Sequence, residues 1–238
     1  MTLPDALDVM RRAAHWAVGV PREAVRYARR SVPIYRTEVE AAPMDGRPLE
    51  VSPLPGELAS GVQRAHSGTG PDFHRTYSVH VVGAQGGAEQ VIANLRRDFS
   101  GAVPEGMVEV DESATQPLFG VGDELRIRLA GPWDAPVRVI EVGPTHFRFA
   151  TLDGHMEAGE IQFSATDVGE PGDVDVMIQS WARSSTRAFA ALYHPLGIAK
   201  EVQLHMWATV LERVAERAGG EIEDGIRVIT RRGEHARA

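Results

Sequence analysis

The chain has 238 residues, 43% of them hydrophobic, no Cys and a formal net charge of −8. The lack of Cys excludes a disulfide framework, a thiolate nucleophile and any Cys-based metal site, and the acidic balance argues against nucleic-acid binding, which relies on a basic footprint. There is no apolar run of about 18 residues to span a bilayer and no charged-then-apolar leader, so the expectation is a soluble cytoplasmic protein, one domain with an extension.

Residues 1–40 read as a helical basic arm. Residues 1–36 hold seven Arg against Asp5, Asp8 and Glu23, a net +4 that leaves −12 for the rest. Leu3, Ala6, Leu7, Met10, Ala14, Ala17 and Val18 recur at helical spacing, and Pro21 suits the first turn of a second helix through about Arg30. The arm could pack on its own body, pack on a second subunit to form a homo-oligomer, or lie on an anionic membrane surface. Arg11, Arg12, Arg22, Arg26, Arg29 and Arg30 are spread around the helices, whereas interfacial binding needs one strongly polar face, so the packing readings are preferred. Residues 41–72, rich in Pro, Gly and Ser, read as a linker or an extended wrap over the surface.

From Phe73 the pattern becomes regular. Residues 73–82 alternate as a strand, Gly86-Gly87 breaks it, and Val91, Ile92, Leu95 and Phe99 follow at helical spacing. A Gly/Pro-rich stretch leads to residues 123–129, with Leu125, Ile127 and Leu129 on one face and Glu124, Arg126 and Arg128 on the other. Trp133-Asp134-Ala135-Pro136 and Gly143-Pro144 turn the chain around a strand at 137–142, and another strand spans 174–181. Connections this short imply an antiparallel meander. A long helix from about Pro195 to Ala218 carries Ala199, Val202, Met206, Val210, Val214 and Ala218 along one stripe and stops at Gly219-Gly220, before a polar tail at 220–238.

Within the meander, Asp153-Gly154 between two β-prone runs predicts a hairpin with a type I′ turn, which sets Leu152 opposite His155 and Phe149 opposite Ala158. Phe147, Phe149 and Met156 then share an apolar face, and Arg148, His155 and Glu157 a polar one. Strict alternation would next put Glu160 among the apolar residues, so a bulge is expected at Gly159, returning Glu160 to the polar set and Ile161 and Phe163 to the Phe pair.

Strand, helix, meander and long terminal helix together describe an α+β helix grip, a curved antiparallel sheet wrapping a long C-terminal helix, here with an N-terminal helical arm. The run 149–163 (FATLDGHMEAGEIQF), Ser180-Trp-Ala-Arg-Ser184 and residues 199–207 (AKEVQLHMW) resemble the domain of unknown function numbered nineteen-ninety. The resemblance covers about residues 73–219. It places the chain with the START-like and birch-pollen-allergen-like (SRPBCC) proteins, many of which bind lipids, sterols or polyketides between sheet and helix. Met156 stands where the family often has Pro, and the family's N-terminal Tyr-Pro-x-x-Gly is not recognisable.

Three functions compete. The first is binding of a small, mostly apolar molecule between the sheet and the C-terminal helix, lined by Leu125, Ile127, Phe147, Phe149, Trp181, Arg183, Gln203, Met206, Trp207 and Val210, because ligand cavities are apolar with few polar groups. In this set Gln203 and Trp207 share a helix face at i and i+4, and Arg183 is either a cation for a ligand carboxylate or a sheet-edge partner of Glu201. The second is an enzyme of cyclase or hydrolase type using His155, Glu157 and Glu160, residue types suited to acid–base work. Its plainer counterpart is a charge cluster with Arg148 that sets hairpin register. The third is an interaction module docking through the arm. Neither a cofactor nor a metal is expected: His74, His80 and His146 lack supporting carboxylate spacing, and no nucleotide-binding Gly motif or hydrolase nucleophile elbow is present.

Overall fold

The computed structural model describes residues 17–23, 25–40, 54–112, 118–129, 134–187 and 198–233. The expected first arm helix as far as residue 16, the start of the linker at 41–53, Trp133, the Pro195 start of the terminal helix and residues 234–238 lie outside the described residues, and residues 134–136, expected in a turn with Trp133, belong instead to a strand.

Nine strands form one sheet: β1 (Ile34–Glu40), β2 (Thr69–Val82), β3 (Val108–Glu112), β4 (Glu124–Leu129), β5 (Asp134–Val142), β6 (His146–Thr151), β7 (Glu157–Asp167), β8 (Val174–Ser184) and β9 (Glu221–Gly233). Their order is β1-β9-β2-β8-β7-β6-β5-β4-β3. From β9 to β3 every neighbouring pair is antiparallel, as the short connections require, and β1 alone runs parallel to its neighbour β9. Helix α1 (Gly87–Arg97) and the short turn Phe99–Ala102 follow β2, and helix α2 (Ile198–Arg217) follows β8. The strand, helix, meander, helix order is the helix grip. Its inner face holds α2 against the sheet in a single apolar core.

That core follows from alternation. Phe147 and Phe149 of β6 and Phe163 of β7 project inward, and Phe99 meets all three edge-on with ring centroids 5.4 to 6.3 Å apart. Phe119 closes the set at 5.2 Å from Phe147. Each ring removed from water contributes roughly 1.5–3 kcal/mol, and edge-on pairs add to this. Asp167 at the end of β7 accepts from Ala88 N at 2.7 Å, which caps α1 and docks its Val91, Ile92 and Leu95 stripe on the core.

The terminal segments depart from expectation. Residues 34–40 of the basic arm form β1: the helical run has ended at residue 28, Pro33 keeps the chain extended, and Ile-Tyr-Arg-Thr-Glu-Val-Glu is β-prone. The expected polar tail is strand β9 as far as Gly233. Its period-2 pattern is interrupted at Asp224 (φ 60°) and Gly225 (φ 79°), where β9 holds two residues more than β2 between paired positions. Ile222, Ile226 and Val228 all reach the core across this irregularity. The helical part of the arm, residues 17–23 and 25–28, packs on the outer side of α2. There Glu23 meets His205 at 3.3 Å, Arg30 binds Glu212 at 2.6 Å, and Tyr27 lies edge-on to His205. Burial of His205 lowers its pKa, with the Glu23 bond opposing. Of the readings offered for the arm, packing on its own body is the one these contacts realise.

Candidate ligand-binding site

The hairpin carries the correction that matters most for the site. Asp224 is the one non-glycine residue with positive φ among the described residues, so Asp153 is not left-handed and the turn is not type I′. Pairing of β6 with β7 runs Phe147 to Phe163, Phe149 to Ile161 and Ala150 to Glu160, three residues out of the expected register, across a wider loop. Gln63 fills that loop by donating to the carbonyls of Leu152 and His155, and Thr151 Oγ1 accepts from Gly159 N.

Gly159 itself is not a bulge, because β7 pairs with β8 without a shift from Glu157 to Asp167. It is glycine because a Cβ there would lie 2.0 Å from the Trp181 carbonyl oxygen, with φ at 155°. With no bulge, Glu157 falls on the same side as Ile161 and Phe163, which is the inner face. Glu160 points outward with Arg148, as expected.

The inner face is therefore built in rows. One row runs Val228, Tyr77, Ile178, Phe163, Phe147, and the next runs Thr230, Arg75, Ser180, Ile161, Phe149. The second row thus brings three buried polar side chains onto an otherwise apolar surface. Arg75 Nη1 binds Glu157 Oε1 at 3.1 Å, and Gln203 of α2 donates to Glu157 Oε2 at 3.2 Å. Trp207, one turn along α2, meets Phe163 edge-on at 5.5 Å. Burial pushes the Tyr77 phenol up to about 12, opposed by Arg75. Ser180 Oγ, Gln203 Oε1 and Trp207 Nε1 are buried and make no hydrogen bond within the protein.

The ligand-lining set expected from sequence divides accordingly. Leu125, Ile127, Phe147, Phe149, Met206, Trp207 and Val210 belong to the inner core, and Gln203 reaches it through Glu157. Trp181 does not line that space: it lies on the outer face, stacked on His74 at 5.2 Å, since it alternates with the inward Ile178 and Ser180. Arg183 also faces outward, where it binds Asp72 at 3.4 Å and the Gly70 carbonyl at 2.7 Å and fixes the start of β2. The partner considered for it, Glu201, pairs instead with Arg36 at 2.7 Å.

The proposed acid–base residues do not converge, because Glu157 and Glu160 lie on opposite faces. The His155 ring nitrogen Nδ1 accepts from Glu157 N at 2.9 Å, and desolvation lowers its pKa. Burial raises Glu160 to about 7, opposed by Arg148 and Arg64. The strand histidines are likewise separate: His80 binds Asp175 at 2.8 Å, His146 binds Glu141 at 3.1 Å, and His74 stacks on Trp181. Among the described residues no cluster of three or more His, Asp or Glu side chains is arranged to hold a metal ion.

Sequence reasoning missed Arg75, Ser180 and Tyr77. The signal was present, since Phe73, Arg75, Tyr77, Val79 and Val81 share one parity, as do Val174, Val176, Ile178 and Ser180. A polar residue inside such an apolar set is a candidate inward group.

A family described as a domain of unknown function, DUF1990, matches residues 59–213. No curated protein matches the chain. Solved structures similar to it include a norcoclaurine synthase point mutant from Thalictrum flavum in complex with a transition-state analogue, at 11% identity and TM-score 0.44, covering 63% of this chain and 98% of that one. A START superfamily protein from Mycobacterium smegmatis is similar at 14% identity and TM-score 0.43, covering 60% of this chain and 99% of that one. A Thermobifida fusca protein is similar at 17% identity and TM-score 0.43, covering 61% and 93%. Among the described residues no helix is long and apolar enough to cross a membrane.

Proposed function

The chain belongs to the DUF1990 family, and we propose that it binds a small, mostly apolar molecule between the sheet and α2, with the polar end of that molecule beside Arg75 and Glu157. The observation that carries this reading is the pairing of the buried Arg75 with the largely buried Glu157, tied to the helix through Gln203. Apolar packing of the same volume is often as stable as a buried ion pair or more so, which makes stability a poor reason for one here. A polar anchor in an apolar enclosure is what a ligand site needs. Ile161 and Val202 are partly buried and packed against the Phe cluster, and they would supply the wall along which an apolar body lies.

Native mass spectrometry of the freshly purified chain tests the proposal, alongside a thermal shift with an environment-sensitive apolar dye. The expected result is a co-purified small molecule that the dye displaces, with lower occupancy in Gln203→Leu. A chain that carries no extra mass and takes up no dye in its folded state refutes it.

A further inference from the structure

Building on that binding reading, we infer that the polar end of the ligand is uncharged and both donates and accepts hydrogen bonds, as an alcohol or a primary amide does. The Arg75 cation already has a carboxylate partner. Arg75 and Glu157 pair at 3.1 Å, and Gln203 Nε2 satisfies the second carboxylate oxygen at 3.2 Å. An entering carboxylate would have to break this pair or leave a net negative charge in a low-dielectric space, and an ammonium would face the Arg75 cation.

What the interior lacks is hydrogen-bond partners. Ser180 Oγ can donate or accept, Gln203 Oε1 accepts, and the Trp207 indole N–H donates, and all three are buried and unpaired within the protein. Ser180 and Trp207 are only 3% and 4% exposed. Such atoms are costly to leave unsatisfied. Their contacts place them along one stretch of the boundary between sheet and helix. Helix α2 touches β7 at Glu157 through Gln203 and at Phe163 through Trp207, and Ser180 sits opposite Ile161, which with Gly159 faces inward between those two contacts. A group bound along this stretch would meet one acceptor, one donor and one hydroxyl, a set that complements a neutral group with both functions.

A matched series separates the possibilities: dodecanol, dodecanamide, dodecanoate and dodecylammonium, each titrated against the full chain by displacement of the apolar dye at neutral pH. The alcohol and the amide are expected to bind at least about tenfold tighter than either ion, since a site built for neutral hydrogen bonding rejects a mismatched head strongly. Ser180→Ala and Trp207→Phe should each weaken the alcohol about threefold or more and narrow its advantage over dodecanoate measured on the same variant. A carboxylate or ammonium that equals or exceeds the alcohol overturns the inference and leaves the binding reading standing. If none of the four displaces the dye, the binding reading falls and the inference with it.

Discussion

The inner and outer faces of the sheet are made by the same strands, yet they are stabilised in different ways. Alternate residues of β2, β7 and β8 decide which face a side chain serves. Inward, Tyr77, Ile178 and Phe163 continue an aromatic core, and one row away Thr230, Arg75 and Ser180 interrupt it. Outward, Arg231, His74, Trp181, Glu160, Ala150 and Arg138 form one cross-strand row, and Thr76, Gln179, Gln162, Arg148 and Glu141 form the next. That outer face is covered by the chain before β2: Leu54, Leu58, Ala59 and Val62 pack on Ile140 and Ala150, and Arg138 donates to the Leu58 and Ser60 carbonyls at 2.9 and 2.6 Å. The inner face therefore draws its stability from burial, with polarity confined to one place, and the outer face from a network of partly covered charges. The confined polarity is the feature on which the proposed ligand binding rests.

The largest expected effect comes from breaking the inner aromatic set. Phe163→Ala removes a ring that touches Phe99, Phe147, Phe149 and Trp207, and should cost about 3–5 kcal/mol in denaturant unfolding. Next comes Arg75→Met, which leaves the largely buried Glu157 carboxylate without its cation and should cost about 3 kcal/mol. The double variant Arg75→Met/Glu157→Leu should recover most of that loss. Recovery would show that the pair is kept for something other than stability, and a double variant no better than the single would argue that the pair is structural.

Much of the inner face was legible in the residue order and the polar row within it was not. The alternation of Phe147, Phe149, Ile161 and Phe163 reveals the core side directly, and the i, i+4 pair Gln203 and Trp207 marks the helix face that meets it. Glu157 was misplaced because hairpin register depends on the loop. Gln63, 89 and 92 positions before the two residues it binds, holds that loop wider than a two-residue turn, and no local pattern announces this. Trp181 belongs to the ligand-lining set expected from sequence as an aromatic wall, although counting parity from Val174 and Val176 places it outward. Strand β9 was obscured by Asp224-Gly225, which shifts the alternation part-way along a segment that otherwise reads as charged tail. Inserted residues and distant partners are the physical reasons a period-2 reading fails here.

On the outer face, Glu160 offers a sharper test because its effect depends on pH. Burial raises its pKa from 4.5 to about 7, so the folded chain holds a proton that the unfolded chain releases. The contribution of Glu160 to stability should therefore be greatest below about pH 4.5, fall as pH rises toward 7, and level off above that. Glu160→Gln mimics the protonated form. It should match the parent near pH 4 and exceed it by about 2–3 kcal/mol near pH 8. Parallel stability profiles for the two proteins would mean that the carboxylate is well solvated or fully matched by Arg148, and would remove the contrast between a buried outer charge network and the compensated inner pair.

The smallest effect should come from the cover itself. Leu54 is buried in a cluster of few residues, against Ile140 and Ala150, so Leu54→Ala leaves a site that can collapse and should cost about 1–2 kcal/mol. The informative readout is where protection is lost. Residues 54–68 meet the outer face, whereas Phe163 and Ile178 are buried on the other side of the same strands. Hydrogen exchange should then accelerate in the wrap and at the hairpin loop that Gln63 fills, while the amides of β7 and β8 keep their rates. A uniform loss of protection across the sheet would show the two faces to be one cooperative unit, with the wrap supporting the inner site through β6 and the hairpin.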